Sequence, residues 1–136
     1  MHAHQDALRV FLQRGLGLDV GPAYFIGWAT EEQGIVSAIA FHNWHPDAGT
    51  VEMSGYSSRR DWADLGLVRE IFSFPFDQFG ARLLVARTSE HNKRVRRIFR
   101  AVGAQEYVIP ELRADGEAEA IQVLHRDVWA ASKFMR

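Results

Sequence analysis

The sequence predicts an α/β or α+β domain built around a mixed sheet. Three observations lead there. The first half carries three strand-like runs joined by turns too short for a crossover, so they should form an antiparallel meander. The second half alternates helical with strand-like spacing, which requires a crossover and therefore a parallel strand pair. The 136 residues match the length of one domain, 1–136, and are enough to bury a core.

The elements follow in order. Residues 4–15 place Leu8, Phe11, Leu12 and Leu16 at helical spacing and run into glycines, as helices tend to. Residues 24–30 are aromatic and β-branched and predict a strand, 31–34 a turn, and 35–44 a second strand. A turn over 45–49 leads to a third strand over 51–56. From 61 to 79, Leu65, Val68, Phe72, Phe76 and Phe79 recur at helical spacing, with Pro75 expected to kink or shorten the helix and Gly80 to end it. Residues 83–86 form a short apolar run suited to a buried strand. An amphipathic helix over 92–102 puts Val95, Ile98, Phe99 and Val102 on one face, with Gly103 at its C-cap. Residues 106–109 and 120–125 read as closing strands, and 127–134 as a terminal helix.

Composition narrows the function classes. Hydrophobic residues make up 47%, charged residues 24%, and the formal net charge is -1. A molecule of that charge is not built as a polyanion binder, so any anion site must be a local concentration of basic groups. Cysteine is absent, which excludes disulfides, thiolate metal sites and a cysteine nucleophile. Asp6, Arg9 and Arg14 interrupt the apolar residues of the N-terminus, unlike a signal peptide. No apolar run reaches bilayer-spanning length, so no membrane role and a cytoplasmic location are expected.

Three stretches carry candidate chemistry. Tyr56-Ser57-Ser58-Arg59-Arg60-Asp61-Trp62 joins the third strand to a helix N-terminus, where free N–H groups, the helix dipole, serine hydroxyls and forked guanidiniums suit a pyrophosphate. The plainer alternative is that Ser58 or Asp61 only caps the helix and the arginines are solvated. Lys93, Arg94, Arg96, Arg97 and Arg100 set a basic outer face on the 92–102 helix, fit for phosphate or only for water, and Asn92 reads equally as an N-cap. On the third strand Glu52, Ser54 and Tyr56 share one face by alternation, Glu52 being a candidate general base. His42, Asn43 and His45 close the neighbouring strand near the same edge. A metal site on His42 and His45 lacks a third ligand at convincing spacing, so no metal is expected.

The element order and these residues together resemble the GNAT superfamily of acyl-CoA N-acyltransferases, and most nearly a small subgroup found in phage and prophage settings. The resemblance is carried by Gly34-Ile35-Val36-Ser37-Ala38-Ile39-Ala40-Phe41-His42-Asn43, Val51-Glu52-Met53-Ser54, Trp62, Phe74-Pro75-Phe76-Asp77-Gln78-Phe79-Gly80, and Asn92 followed by Val95, Phe99 and Gly103. It implies a mixed, mostly antiparallel twisted sheet with helices on both faces and a V-shaped cofactor cleft between the third and fourth strands. It implies acetyl-CoA as cofactor, its pantetheine arm pairing with strand backbone near Ser54 and Tyr56. The pyrophosphate would lie over Ser57, Ser58, Arg59, Arg60 and Trp62, with Asn92 and Arg96 adding contacts. Asn43 and His45 would face the acceptor. The chain departs from the family pattern in four places: Arg59-Arg60-Asp61-Trp62 replaces the glycine-rich loop, Phe99 falls where a general-acid tyrosine is frequent, Gly103-Ala104 stands where Gly-Phe is usual, and no counterpart of the family's first strand is visible.

The implied reaction is direct acetyl transfer to a primary amine of a small molecule or peptide. Glu52 is the first candidate base and His42 the second, with Tyr56 or water protonating the leaving thiolate. The alternative is a non-catalytic GNAT-like module that binds acyl-CoA or a partner. A nucleic-acid role through the basic helix sits poorly with the near-neutral charge. The acceptor stays open, as does homodimer formation.

Overall fold

A computed structural model describes residues 4–59 and 65–135. Its elements are α1 (Gln5–Leu16), β1 (Ala23–Thr30), β2 (Gly34–His45), β3 (Thr50–Ser57), α2 (Leu65–Gln78), β4 (Leu83–Ser89), α3 (Lys93–Val102), β5 (Gln105–Ile109), β6 (Glu119–His125) and α4 (Arg126–Ala130), then a 3₁₀ turn, Lys133–Met135. The strands form one six-stranded sheet in the order β1-β2-β3-β4-β6-β5. Among the described residues only β3 and β4 pair in parallel; every other neighbouring pair is antiparallel.

The alternation of side chains along β2 divides the core between two faces. Ala38 and Ala40 point to one face and pack with Phe25 against Leu8 and Leu12 of α1. Ile39 and Phe41 point to the other and join Val51, Met53, Phe72, Phe76, Leu84, Phe99, Val102, Leu124 and Trp129, which brings α2, α3 and α4 onto that side. Helices therefore cover both faces, with α1 packed chiefly on β1, β2 and β3. Gln5 clamps α1 to the edge strand, its amide nitrogen donating to Phe25 O and its oxygen accepting from Phe25 N–H, both at 2.8 Å.

Pro75 lies inside α2, which runs on to Gln78. Two expectations are corrected. β4 extends past Ala86 to Ser89, because Arg87 to Ser89 pair with Ile121 to Glu119 of β6. The terminal helix is shorter, Arg126–Ala130, and a separate 3₁₀ turn follows. The expected helix start at 61 lies outside the described residues. No described helix is long and apolar enough to cross a membrane.

Candidate active site

The site is made by strands that part. The parallel ladder runs from Thr50↔Leu83 to Met53↔Ala86 and stops there. β3 continues to Ser57 and β4 to Ser89 without pairing to each other, so each presents an open backbone edge. The opening widens into a cleft of about 980 Å³. Its walls come from both faces of the sheet: Met53, Phe72, Ile98 and Phe99 on the α2–α3 side, and His42, Glu52, Ser54, Tyr56 and Arg87 on the other.

Glu52, Ser54 and Tyr56 do share a face, and the register sets them opposite His42, Ala40 and Ala38. His42 Nε2 lies 2.8 Å from Ser54 Oγ, and its Nδ1 lies 3.6 Å from Glu52 Oε2. Asn43 Nδ2 donates to the same Glu52 oxygen. Both contacts use Oε2, and Glu52 lines the cleft. Asn43 can reach Glu52 because the β2–β3 register shifts just after His42 and Asn43 takes a left-handed φ of 51°, a conformation asparagine tolerates well.

His42 is 8% exposed. Burial pushes its imidazole below the ordinary value, and the opposing pull of Glu52 is the smaller effect. The Glu52 charge favours the tautomer with the proton on Nδ1, so that Nε2 accepts from the Ser54 hydroxyl. A stability consequence follows from the sign of the shift. Below the ordinary value of 6.5 the unfolded chain binds a proton that the folded chain resists, so stability present above that pH falls as pH drops towards the lowered folded value. Melting curves from pH 8 to 5 should show this acid loss, and His42→Gln should flatten it.

Other expected site residues are placed as follows. Ser57 Oγ lies 2.7 Å from Arg59 O and accepts from Arg59 N–H at 3.1 Å, while Ser58 spends its N–H on Val36 O at 2.9 Å and holds its Oγ 3.3 Å from the same carbonyl. These serines line the cleft, but their hydroxyls shape the loop. Arg59 lines the cleft too; Arg60 and Trp62 lie outside the described residues. Tyr56 borders the cleft with its ring 5.7 Å from Phe11 of α1. Gly15 makes room for that ring, since a Cβ there would fall 2.2 Å from it.

Asn92 caps α3, accepting from Val95 N–H at 3.3 Å, and lines the cleft as well. Arg96 is a correction. Its guanidinium is forked onto Glu106 at 2.7 and 3.0 Å and donates to Glu90 O at 2.6 Å, away from the cleft wall. The same contact holds the Glu106 carboxyl below its usual range. The basic residues of α3 thus do not form one continuous face, and Arg94 is the one lining the cleft. His45 is also displaced: it pairs with Thr50 at the far end of β3, and the bulge leaves Asn43 supporting Glu52 instead of lining the cleft. Phe99, 2% exposed, meets Phe72 edge-on at 5.2 Å. Sequence reading missed Arg87, Arg113 and Glu119, which also line the cleft.

The sequence matches no protein-family model and no curated protein. Solved structures do match. A spermidine N-acetyltransferase mutant from Vibrio cholerae superposes with a TM-score of 0.68 at 7% identity, covering 93% of this chain and 78% of that one. A T. thermophilus protein proposed to be an acetyltransferase gives 0.67 at 17% identity over 91% and 69%. A protein proposed to be a phosphinothricin N-acetyltransferase gives 0.63 at 20% identity over 83% and 77%. The fold is that of the GNAT acetyltransferases. In this GNAT fold the parting of β3 and β4 lies between central strands of the sheet.

Proposed function

We propose that the chain is an N-acetyltransferase that uses acetyl-CoA and a primary amine. The observation that carries this reading is the parting of β3 and β4 at Met53 and Ala86, with Glu52 and His42 standing beside it. The fit to an acyl-CoA rests on this chain's own groups. The open edge of β3 beyond Met53 offers backbone N–H and C=O groups to a chain of amides in the manner of an added strand. Arg59, Arg94 and Asn92 line the same cleft and would meet its phosphates. The apolar wall of Val95, Ile98, Phe99 and Phe72 excludes water between them.

When bound, acetyl-CoA supplies an electrophilic thioester. The protein's tasks are then to hold the amine, take its proton and stabilise developing charge. Glu52 Oε1 accepts the amine proton; Oε2 stays anchored by Asn43. His42 Nε2 contacts the Ser54 hydroxyl, and its buried Nδ1, 3.6 Å from Glu52 Oε2, makes no hydrogen bond, so Asn43 is the donor that orients the carboxylate. A backbone N–H of the unpaired stretch from Ser54 to Tyr56 donates to the developing oxyanion. Phe99 has no proton to give, so the thiolate is protonated by water or by Tyr56.

Two of the structural neighbours bear the names of different acceptors, spermidine and phosphinothricin, and the fold likeness does not choose between them. The test is thiol release from acetyl-CoA across a panel of amines and peptides. Amine-dependent release supports transfer. Tight acetyl-CoA binding without release for any amine would make the chain a binding module instead.

A further inference from the structure

Three charged side chains stand together on the sheet face that carries Glu52. Arg87 follows Val85, the parallel partner of Glu52, by two residues and so shares its face. Glu119 begins β6 opposite Ser89. Arg113 comes from the β5–β6 connection. Glu119 is 5% exposed, and its two oxygens go to different guanidiniums: Oε1 accepts from Arg113 Nη1 at 3.1 Å and Oε2 from Arg87 Nη2 at 3.5 Å. A buried carboxylate between two guanidiniums fixes both in place and leaves a positive excess.

Each guanidinium spends one N–H on Glu119 and carries several more. Their side chains are 49% and 35% exposed, and both border the cleft. Two acids lie nearby, and of these Asp115 also borders the cleft. Asp115 Oδ1 accepts from Glu117 N–H at 3.0 Å, and Glu117 Oε2 accepts from Ser89 Oγ at 2.8 Å, with His91 3.7 Å from its other oxygen. Among the described helices, α1 packs chiefly on β1, β2 and β3, and α3 packs on the opposite face.

We propose that Arg87 and Arg113 bind a carboxylate of the acceptor, so that the acceptor is a primary amine carrying its own carboxylate, a free amino acid being the simplest case. The proposal rests on the acetyltransferase reading, which puts the amine at Glu52. A guanidinium pair matches a carboxylate by charge and by paired N–H geometry. A polyamine has no group for these arginines and meets their positive charge.

The experiment is calorimetry on the protein saturated with CoA, titrating free amino acids against their carboxamides, with spermidine alongside. At least one amino acid should bind about ten-fold or more tightly than its amide, the usual scale for a charge-assisted contact. Arg87→Gln and Arg113→Gln should each erase most of that difference. The two arginines sit on different elements, so one variant reports if the other fails to fold. Equal binding of acid and amide, tighter binding of spermidine, or a preference that survives both arginine changes would overturn the proposal. Transfer to amines with no preference for a carboxylate would overturn it while leaving the acetyltransferase reading intact. Arginine-dependent binding of amino acids without transfer would support the subsite and remove the enzyme reading.

Discussion

Glu52→Gln is expected to lower acetyl transfer by about two to four orders of magnitude, the usual range for loss of a positioned general base, while acetyl-CoA binding stays close to that of the parent. Glutamine keeps the size of the side chain, and its amide oxygen can still accept from Asn43, so the rotamer is retained. Only the proton affinity is lost. The parent rate should rise with pH as both base and amine lose their protons, and the variant should keep only the amine's part of that rise. Stopped assays of kcat and KM across pH for parent and variant check this. Full activity in Glu52→Gln together with loss in His42→Gln would move the base to the imidazole, whose Nε2 lies 2.8 Å from Ser54 Oγ.

Phe72→Ala is expected to cost about 3–5 kcal/mol, the range for emptying a buried phenylalanine site. Phe72 is 1% exposed and lies between Phe99, edge-on at 5.2 Å, and Trp129 at 5.7 Å. Removing its ring strips contacts from α2, α3 and α4 together, and the backbone of three elements cannot collapse to refill the space. Urea unfolding should show a lower midpoint with an unchanged slope. Because Phe72 also lines the cleft, acetyl-CoA affinity should fall in the same variant. A loss under about 1 kcal/mol would mean that the α2–α3 layer repacks freely, against the close packing of buried aromatics.

How much of this was legible depended on how local the signal was. The spacing of Val95, Ile98, Phe99 and Val102 located α3, and Gly103 at φ 101° ends it as its position implied. Strand alternation put Glu52, Ser54 and Tyr56 on one face, and the short turn after His45 brought His42 opposite Glu52. The bulge was not legible, because His42-Asn43-Trp44 reads as uninterrupted strand, yet one shifted register turned Asn43 onto Glu52 and left His45 at the far end. Arg96 looked like a phosphate ligand because its partner Glu106 lies on another element, and helix periodicity carries no information about that pairing. The Arg87–Glu119–Arg113 group was invisible for the same reason. It exists because β6 inserts between β4 and β5, an order set by long-range pairing and not by any local pattern.

The central claim is that an acyl-CoA lies along the parting of β3 and β4. Amide hydrogen exchange with and without acetyl-CoA tests it most directly, because the unpaired edges there have no strand partner to protect them. Saturating acetyl-CoA should slow exchange at Ser54 to Arg59, at Arg87 to Ser89 and at the start of α3 from Asn92 to Val95, and leave β1 and β5 unchanged. Desulfo-CoA should protect the same amides. No protection with millimolar ligand, or protection confined to the groove beside Tyr24 and Phe74 between β1 and α2, would contradict the account.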